Sequence, residues 1–249
     1  MLNELLLIAG TDIPFPAAQL IIHQPRISEI AYIGEDKFYT GCELLRFSKD
    51  NLSDEDKIHL IDKTNFEILM SILNEKNITT QQYRICVLEL MTLLFPEYNI
   101  QLSINGFHLR KNNEEQEYII NNDNYEQFLE IINEIFMLNQ KSTDGDSRQL
   151  NPQGELAKKI ANKLKKGRQK VAETENQNQK IAILSRYISI LTVGLQKDIN
   201  SFMHYTVYQL SDEFKRFELK MNHDIYLKAK MAGAQNLKEV DDWMKDIHS

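Results

Sequence analysis

Apolar residues recur with a helical spacing over most of the chain. After Pro25 they stand three or four positions apart, which is the spacing of one face of a helix. This first helical stretch contains Ile27, Ile30, Ala31, Phe38, Cys42 and Leu45. Before Pro25, two short apolar runs, LLLIAG and QLIIH, flank a turn that contains Pro14 and Pro16. Such runs favour short strands or an extended arm.

Capping residues predict where two of the helices begin. Thr64 precedes NFEILMSILNEK and is followed three residues later by Glu67, which is the spacing of a capping box. In that motif each side chain accepts a hydrogen bond from the other residue's backbone N–H. Thr79 or Thr80 is predicted to cap the next helix, which Pro96 ends because proline has no N–H to donate.

The period then changes from helical to alternating. Ile100, Leu102 and Ile104 alternate with polar residues, and Phe107 and Leu109 resume the alternation after an Asn-Gly pair. The pair predicts a tight turn in which both residues have positive φ. The run EYII supplies a third strand of a small antiparallel meander, and YEQFLEIINEIFML returns to helical spacing.

A polar stretch without periodicity predicts the domain organisation. Residues 139–155 contain both Gly and Pro and separate a mixed region from a region with helical spacing only. We therefore expect an α+β domain over 1–138, a linker over 139–155 and an all-α helical domain over 156–249. The predicted fold class is α+β.

Composition narrows the class of protein. Apolar residues make up 42% of the chain, enough for a packed core, and 36 acidic against 29 basic residues give a net charge of −7. Cys42 and Cys86 lie in helical contexts, which predicts buried free thiols in a reducing compartment. The N-terminus lacks a basic leader, and no apolar run spans a bilayer, so we expect a soluble cytoplasmic protein.

The sequence predicts neither an enzyme nor a bound cofactor. Asp144, Asp146 and Glu155 have the spacing of a calcium loop, but Arg148 stands at a ligand position and Gln149 replaces the required Gly. The six His residues show no metal-ligand spacing, and the chain contains no Gly-rich phosphate loop or nucleophile elbow.

One segment is strongly basic. Residues 157–170 form an amphipathic helical pattern that contains no acid. Three interpretations remain open, namely a solvated or internally paired face, a site for an acidic protein, and a site for nucleic acid. The lack of interleaved aromatics and the acidic rest of the chain disfavour nucleic acid. The basic residues are Lys158, Lys159, Lys163, Lys165, Lys166, Arg168 and Lys170.

The stretch TVYQLSDEFKRFELK carries an apolar stripe along one helix face, with charged residues on the other face. A similar stripe runs through Ile181, Leu184, Ile188, Leu191 and Leu195. Each stripe requires an apolar surface to cover it, supplied either by this chain's own helices or by a helix of another protein. The residues of the candidate partner-binding stripe are Val207, Leu210, Phe214, Phe217 and Met221.

Two segments resemble proteins of virion morphogenesis in tailed bacteriophages. They are DIPFPAAQLIIHQPRISEIAYIGEDKFYTGCELL and the C-terminal run that starts at ILSRYISILTVGLQ and ends at DDWMKDI. In layout the chain looks most like a tail assembly chaperone. The resemblance implies a non-enzymatic helper in the host cytoplasm that coats the helical tape-measure protein until the tail tube polymerises.

The small meander and the length of the chain leave other roles open. The chain could be a structural component of the virion, such as a neck or baseplate protein, or a nucleic-acid-binding accessory protein that uses residues 157–170. Homo-oligomerisation is also left open.

Overall fold

A computed structural model describes residues 2–49, 62–75, 77–111, 114–138, 183–232 and 242–244 of the chain. The predicted linker over 139–155 and the basic segment over 157–170 lie outside these residues.

The described residues form short and long helices and two small antiparallel sheets. The helices are α1 (Glu4–Ala9), α2 (Ile27–Ile33), α3 (Glu35–Leu45), α4 (Asn65–Asn74), α5 (Ile78–Leu94), α6 (Tyr125–Ile135), α7 (Ile183–Leu195), α8 (Ile199–Phe202) and α9 (Val207–Met231). The strands are β1 (Ile13–Phe15), β2 (Leu20–Ile22), β3 (Tyr98–Ser103), β4 (Gly106–Lys111) and β5 (Glu117–Ile120). This architecture confirms the predicted α+β class.

Most of the N-terminal run LLLIAG is helical, so its prediction as a short strand or an extended arm was wrong. The Asn3 side chain accepts a hydrogen bond from the Leu5 N–H, and Gly10 ends α1 in the left-handed conformation at φ 64°. These two caps stabilise a helix that is too short to show a helical period. The second run does form a strand, β2, which pairs antiparallel with β1 through a 3-10 turn over Pro16–Ala18.

One of the two predicted helix starts is correct. The Thr64 Oγ accepts the Glu67 N–H at 3.1 Å, and a Glu67 carboxylate oxygen accepts the Thr64 N–H at 2.8 Å, so α4 begins with the predicted capping box. The next cap is Asn77 rather than Thr79 or Thr80. Thr80 instead occupies the third helical position, where its N–H donates to Asn77 Oδ1 at 2.8 Å.

The predicted meander is present, with strand order β3-β4-β5. Its first turn differs from the prediction, because Ser103 pairs with Gly106 and the turn residues are therefore Ile104 and Asn105. Of the Asn-Gly pair only Gly106 has positive φ, at 144°. A Cβ at Gly106 would lie 2.2 Å from the carbonyl oxygen of Ile120, so this position requires glycine for both its conformation and its close contact with β5.

A single hydrophobic cluster includes residues from both ends of the chain. Phe15, Phe95 and Phe128 belong to the same cluster as Leu191 and Leu210. Backbone hydrogen bonds join the two parts directly, because the N–H groups of residues 27 and 28 donate to carbonyl oxygens of residues 205 and 203 at 2.8 and 3.0 Å. The C-terminal helices therefore pack on the α+β part, and the division into two domains stays a prediction.

Both cysteines are free thiols, and they differ in burial. Cys42 is buried, as predicted, whereas Cys86 is half-buried on α5. The helices α3 and α5 approach closely beside them, since a Cβ at Gly41 would lie 2.9 Å from the Cys86 carbonyl oxygen. Burial raises the pKa of both thiols, and the increase is large for Cys42.

Candidate protein-binding site on helix α9

Helix α9 is anchored at its N-terminus. Thr206 and Gln209 form a capping box, in which the Gln209 N–H donates to Thr206 Oγ at 3.3 Å and the Thr206 N–H donates to Gln209 Oε1 at 2.8 Å. The Gln209 amide also donates to the carbonyl oxygen of Ile8 in α1 at 2.7 Å. The start of the 25-residue helix is thereby attached to the N-terminal part of the chain.

The first three turns of α9, Val207 to Phe217, form what we call the proximal half. Val207 and Leu210 are buried in the hydrophobic cluster. Phe214 stacks on Tyr187 of α7 with ring centroids 3.9 Å apart and an interplanar angle of 10°. Phe217 packs partly buried against the same hydrophobic cluster, so four of the five predicted partner-binding residues lie against the chain's own elements.

Helix α7 supplies the surface that covers the proximal half. Leu184, Ile188 and Leu191 of its stripe are buried, and Leu195 is half-buried, whereas Ile181 lies outside the described residues. Gly194 leaves space for the ring of Phe217, because a Cβ at residue 194 would lie 2.2 Å from Phe217 Cζ. The two stripes recognised in the sequence thus cover each other over these turns.

Residues 218 to 231, which we call the distal half, have a different environment. None of these residues is buried. Four large apolar side chains are exposed: Met221 at 43%, Ile225 at 59%, Leu227 at 41% and Met231 at 87%. Of these, only Met221 was among the predicted binding residues. The others were missed because Asp224 and Lys228 interrupt the stripe in the sequence.

One ion pair links the proximal half of α9 to the segment that follows α7. Lys197, which follows α7, donates to Glu213 Oε1 at 2.5 Å. This hydrogen bond raises the pKa of the Lys197 ammonium above its ordinary value, and burial raises the pKa of the nearby Tyr205 hydroxyl. Because Lys197 is partly exposed, the ion pair adds orientation more than stability.

Charge is unevenly divided along the chain. Residues 1–138 carry 22 of the 36 acidic residues and only 10 of the 29 basic ones, so the remainder, with 14 acidic and 19 basic residues, is net positive. The last turn of α9 follows this bias with Lys228 and Lys230. An exposed apolar surface that also carries Lys228 and Lys230 suits a helical partner with acidic residues beside its apolar ones.

A polar groove lies on the outer face of the meander. It encloses about 240 Å³ and is lined by residues that include Gln101, His108 and Glu117. His108 Nε2 lies 2.9 Å from Ser103 Oγ, and its Nδ1 lies 3.3 Å from a Glu117 carboxylate oxygen. The Ser103 hydroxyl oxygen also accepts the Asn105 N–H at 3.1 Å. This array therefore braces the β3–β4 turn by side-chain hydrogen bonds.

Three other features considered in the sequence are the basic segment, metal sites and membrane-spanning helices. The seven cations of residues 157–170 lie outside the described residues. Within the described ranges, no group of three or more His, Cys, Asp or Glu side chains is placed to hold a metal ion. Among the helices of those ranges, none combines the length and apolar content that a membrane crossing requires.

Comparisons with known proteins point to phages. Residues 175–248, which include α7, α8 and α9, match the family model described as YomV second domain. That family is phage-associated, so the C-terminal part of this chain is similar to a phage-related domain. No curated protein matches the chain. No solved structure matches it either.

Proposed function

We propose that this protein is a non-enzymatic phage tail assembly chaperone that binds a helical, tape-measure-like protein during virion morphogenesis. The observation that carries the proposal is the group of four exposed apolar side chains on the distal half of α9. Its position within a segment similar to a phage-related domain supports a role among phage proteins. The site of action is the host cytoplasm, before the tail is complete.

The distal half is suited to holding another helix. The proximal half of the same helix packs against α7, so the exposed turns of the distal half extend from a part of α9 that is held in place. Helix-in-groove recognition uses apolar anchors spaced three or four positions apart, and Met221 and Ile225 have this spacing. Methionine side chains adapt to different apolar surfaces, which favours binding along a long and varied helix. The proposed partner-binding residues are therefore the exposed apolar residues Met221, Ile225, Leu227 and Met231.

Co-expression with the tape-measure protein of the same phage tests this function. The tagged full chain should retain that protein in a pull-down at low salt, and Ile225→Glu should lose it because a charge would face the partner's apolar side. Ile78→Glu is the matched control, because Ile78 is an exposed isoleucine on another helix, α5. Absence of association by the unchanged chain, or equal retention by Ile225→Glu, would contradict the proposal.

The structural alternative makes a different prediction about the virion. A chaperone leaves before the tail is complete, so mass spectrometry of purified particles should not detect the chain. Its presence at a fixed ratio to the tail proteins would favour a neck or baseplate component instead.

A further inference from the structure

The distal half of α9 continues the heptad spacing of the proximal half. Successive core positions of that heptad fall at Met221, Asp224, Lys228 and Met231. Ile225 and Leu227 stand on either side of this seam, next to its centre. The seam therefore has methionine at both ends and one residue of each charge in the middle.

This order of residues is self-complementary in one orientation only. If a second copy pairs antiparallel, with the two helices crossing at residue 226, Met221 meets Met231 of the second copy and Asp224 meets Lys228 of the second copy. Each pairing occurs twice by symmetry. A parallel pair in register would instead place Asp224 on Asp224 and Lys228 on Lys228, and like charges disfavour that arrangement.

We propose that the distal half of α9 binds the distal half of a second copy of this chain in the antiparallel orientation. The pairing covers the four exposed apolar residues and gives Asp224 and Lys228 partners of opposite charge. No ion pair of either residue is found in the described part of the chain. Four layers of a short helix pair form a small interface, so the association is reversible, with a Kd on the order of micromolar or weaker.

The pairing has a consequence for partner binding, and that consequence rests on the proposed function. A helical tape-measure-like partner and a second copy would cover the same exposed side chains of the distal half, so they exclude each other. The free protein would then keep these side chains covered until the partner displaces the second copy.

Charge exchange tests the pairing with the full chain alone, by sedimentation velocity over a range of concentrations. Asp224→Lys places two lysines opposite each other across the interface, and Lys228→Asp places two acids opposite each other. Each variant should weaken self-association by tenfold or more. The two variants mixed in equal amounts should associate with each other, because every pairing across the interface then joins opposite charges.

Two controls separate the interface from the helix itself. Asp224 and Lys228 are four residues apart and support the isolated helix slightly, so the helical circular dichroism of each variant is measured alongside. Lys230→Asp changes a neighbouring charge outside the seam and should leave association within twofold. A strictly monomeric unchanged chain, or a mixture that associates no better than its separate components, would overturn the pairing.

This experiment and the pull-down fail independently. A monomeric chain that still retains the tape-measure protein overturns the pairing and leaves the proposed function standing. A dimeric chain that retains no phage protein contradicts the proposed function and leaves the pairing intact.

Discussion

Replacing Gly194 by Ala tests how α7 covers the proximal half of α9. The added Cβ would lie 2.2 Å from Cζ and 2.6 Å from Cε2 of Phe217, well inside van der Waals contact. Overpacking of this kind costs about 1–3 kcal/mol. Alanine at a helical position otherwise stabilises by up to ~1 kcal/mol relative to glycine, and less near a helix end. The expected net loss is therefore between roughly 0 and 3 kcal/mol, with about 1–2 kcal/mol as the central value.

Urea unfolding of the full chain, followed by circular dichroism, measures this loss. The Phe217→Ala background removes the ring, so there Gly194→Ala should be neutral or stabilising, and the double-mutant cycle should give a coupling of ~1 kcal/mol or more. Val193→Ala is the neighbouring control, because Val193 is 77% exposed and its truncation should change stability by less than ~0.5 kcal/mol. Stabilisation by Gly194→Ala in the unchanged background would refute the packing described.

Three further experiments, two with substitutions and one with a thiol reagent, test separate parts of the fold. Gly106→Ala should destabilise by ~2 kcal/mol or more in the same assay, because it combines a positive φ of 144° with a clash against Ile120. Thr206→Ala should cost about 1 kcal/mol through loss of the α9 cap, whereas Thr206→Ser should cost little. Titration with a disulfide reagent at pH 8 should modify Cys86 in the native protein and Cys42 only after unfolding, because burial shields that thiol and raises its pKa. Two equally fast thiols would contradict the burial of Cys42.

Much of the fold could be predicted from local pattern. The meander was predictable because its apolar residues alternate and an Asn-Gly pair marks the turn. The helix start at Thr64 was predictable because both residues of the capping box, Thr64 and Glu67, can be read in the sequence. The N-terminal helix was not, since six residues are too few to show a helical period. The turn was misplaced by one residue because the close contact of Gly106 is with Ile120 on the next strand, and the residues of the turn itself do not show that contact.

The sequence predicted that α9 has an apolar face, but it did not predict which part of that face is exposed. Helical spacing identified the stripe from Val207 to Met221 correctly as one face of a helix. Spacing could not show which part of that face the chain itself covers. That part is covered by α7, and the fit of α7 against α9 requires a residue without a side chain at position 194. The exposed continuation through Ile225 was overlooked because charged residues interrupt it.

Helix α9 has a proximal half that the chain itself covers and a distal half whose large apolar side chains are exposed. Hydrogen exchange of dilute full-length protein, read by mass spectrometry, measures the protection of the two halves separately. We predict that amides of residues 207–217 exchange at least tenfold more slowly than those of residues 218–231, and that adding the helical partner slows only the second group. Equal and strong protection of both halves in the dilute protein would contradict this difference between the two halves of α9.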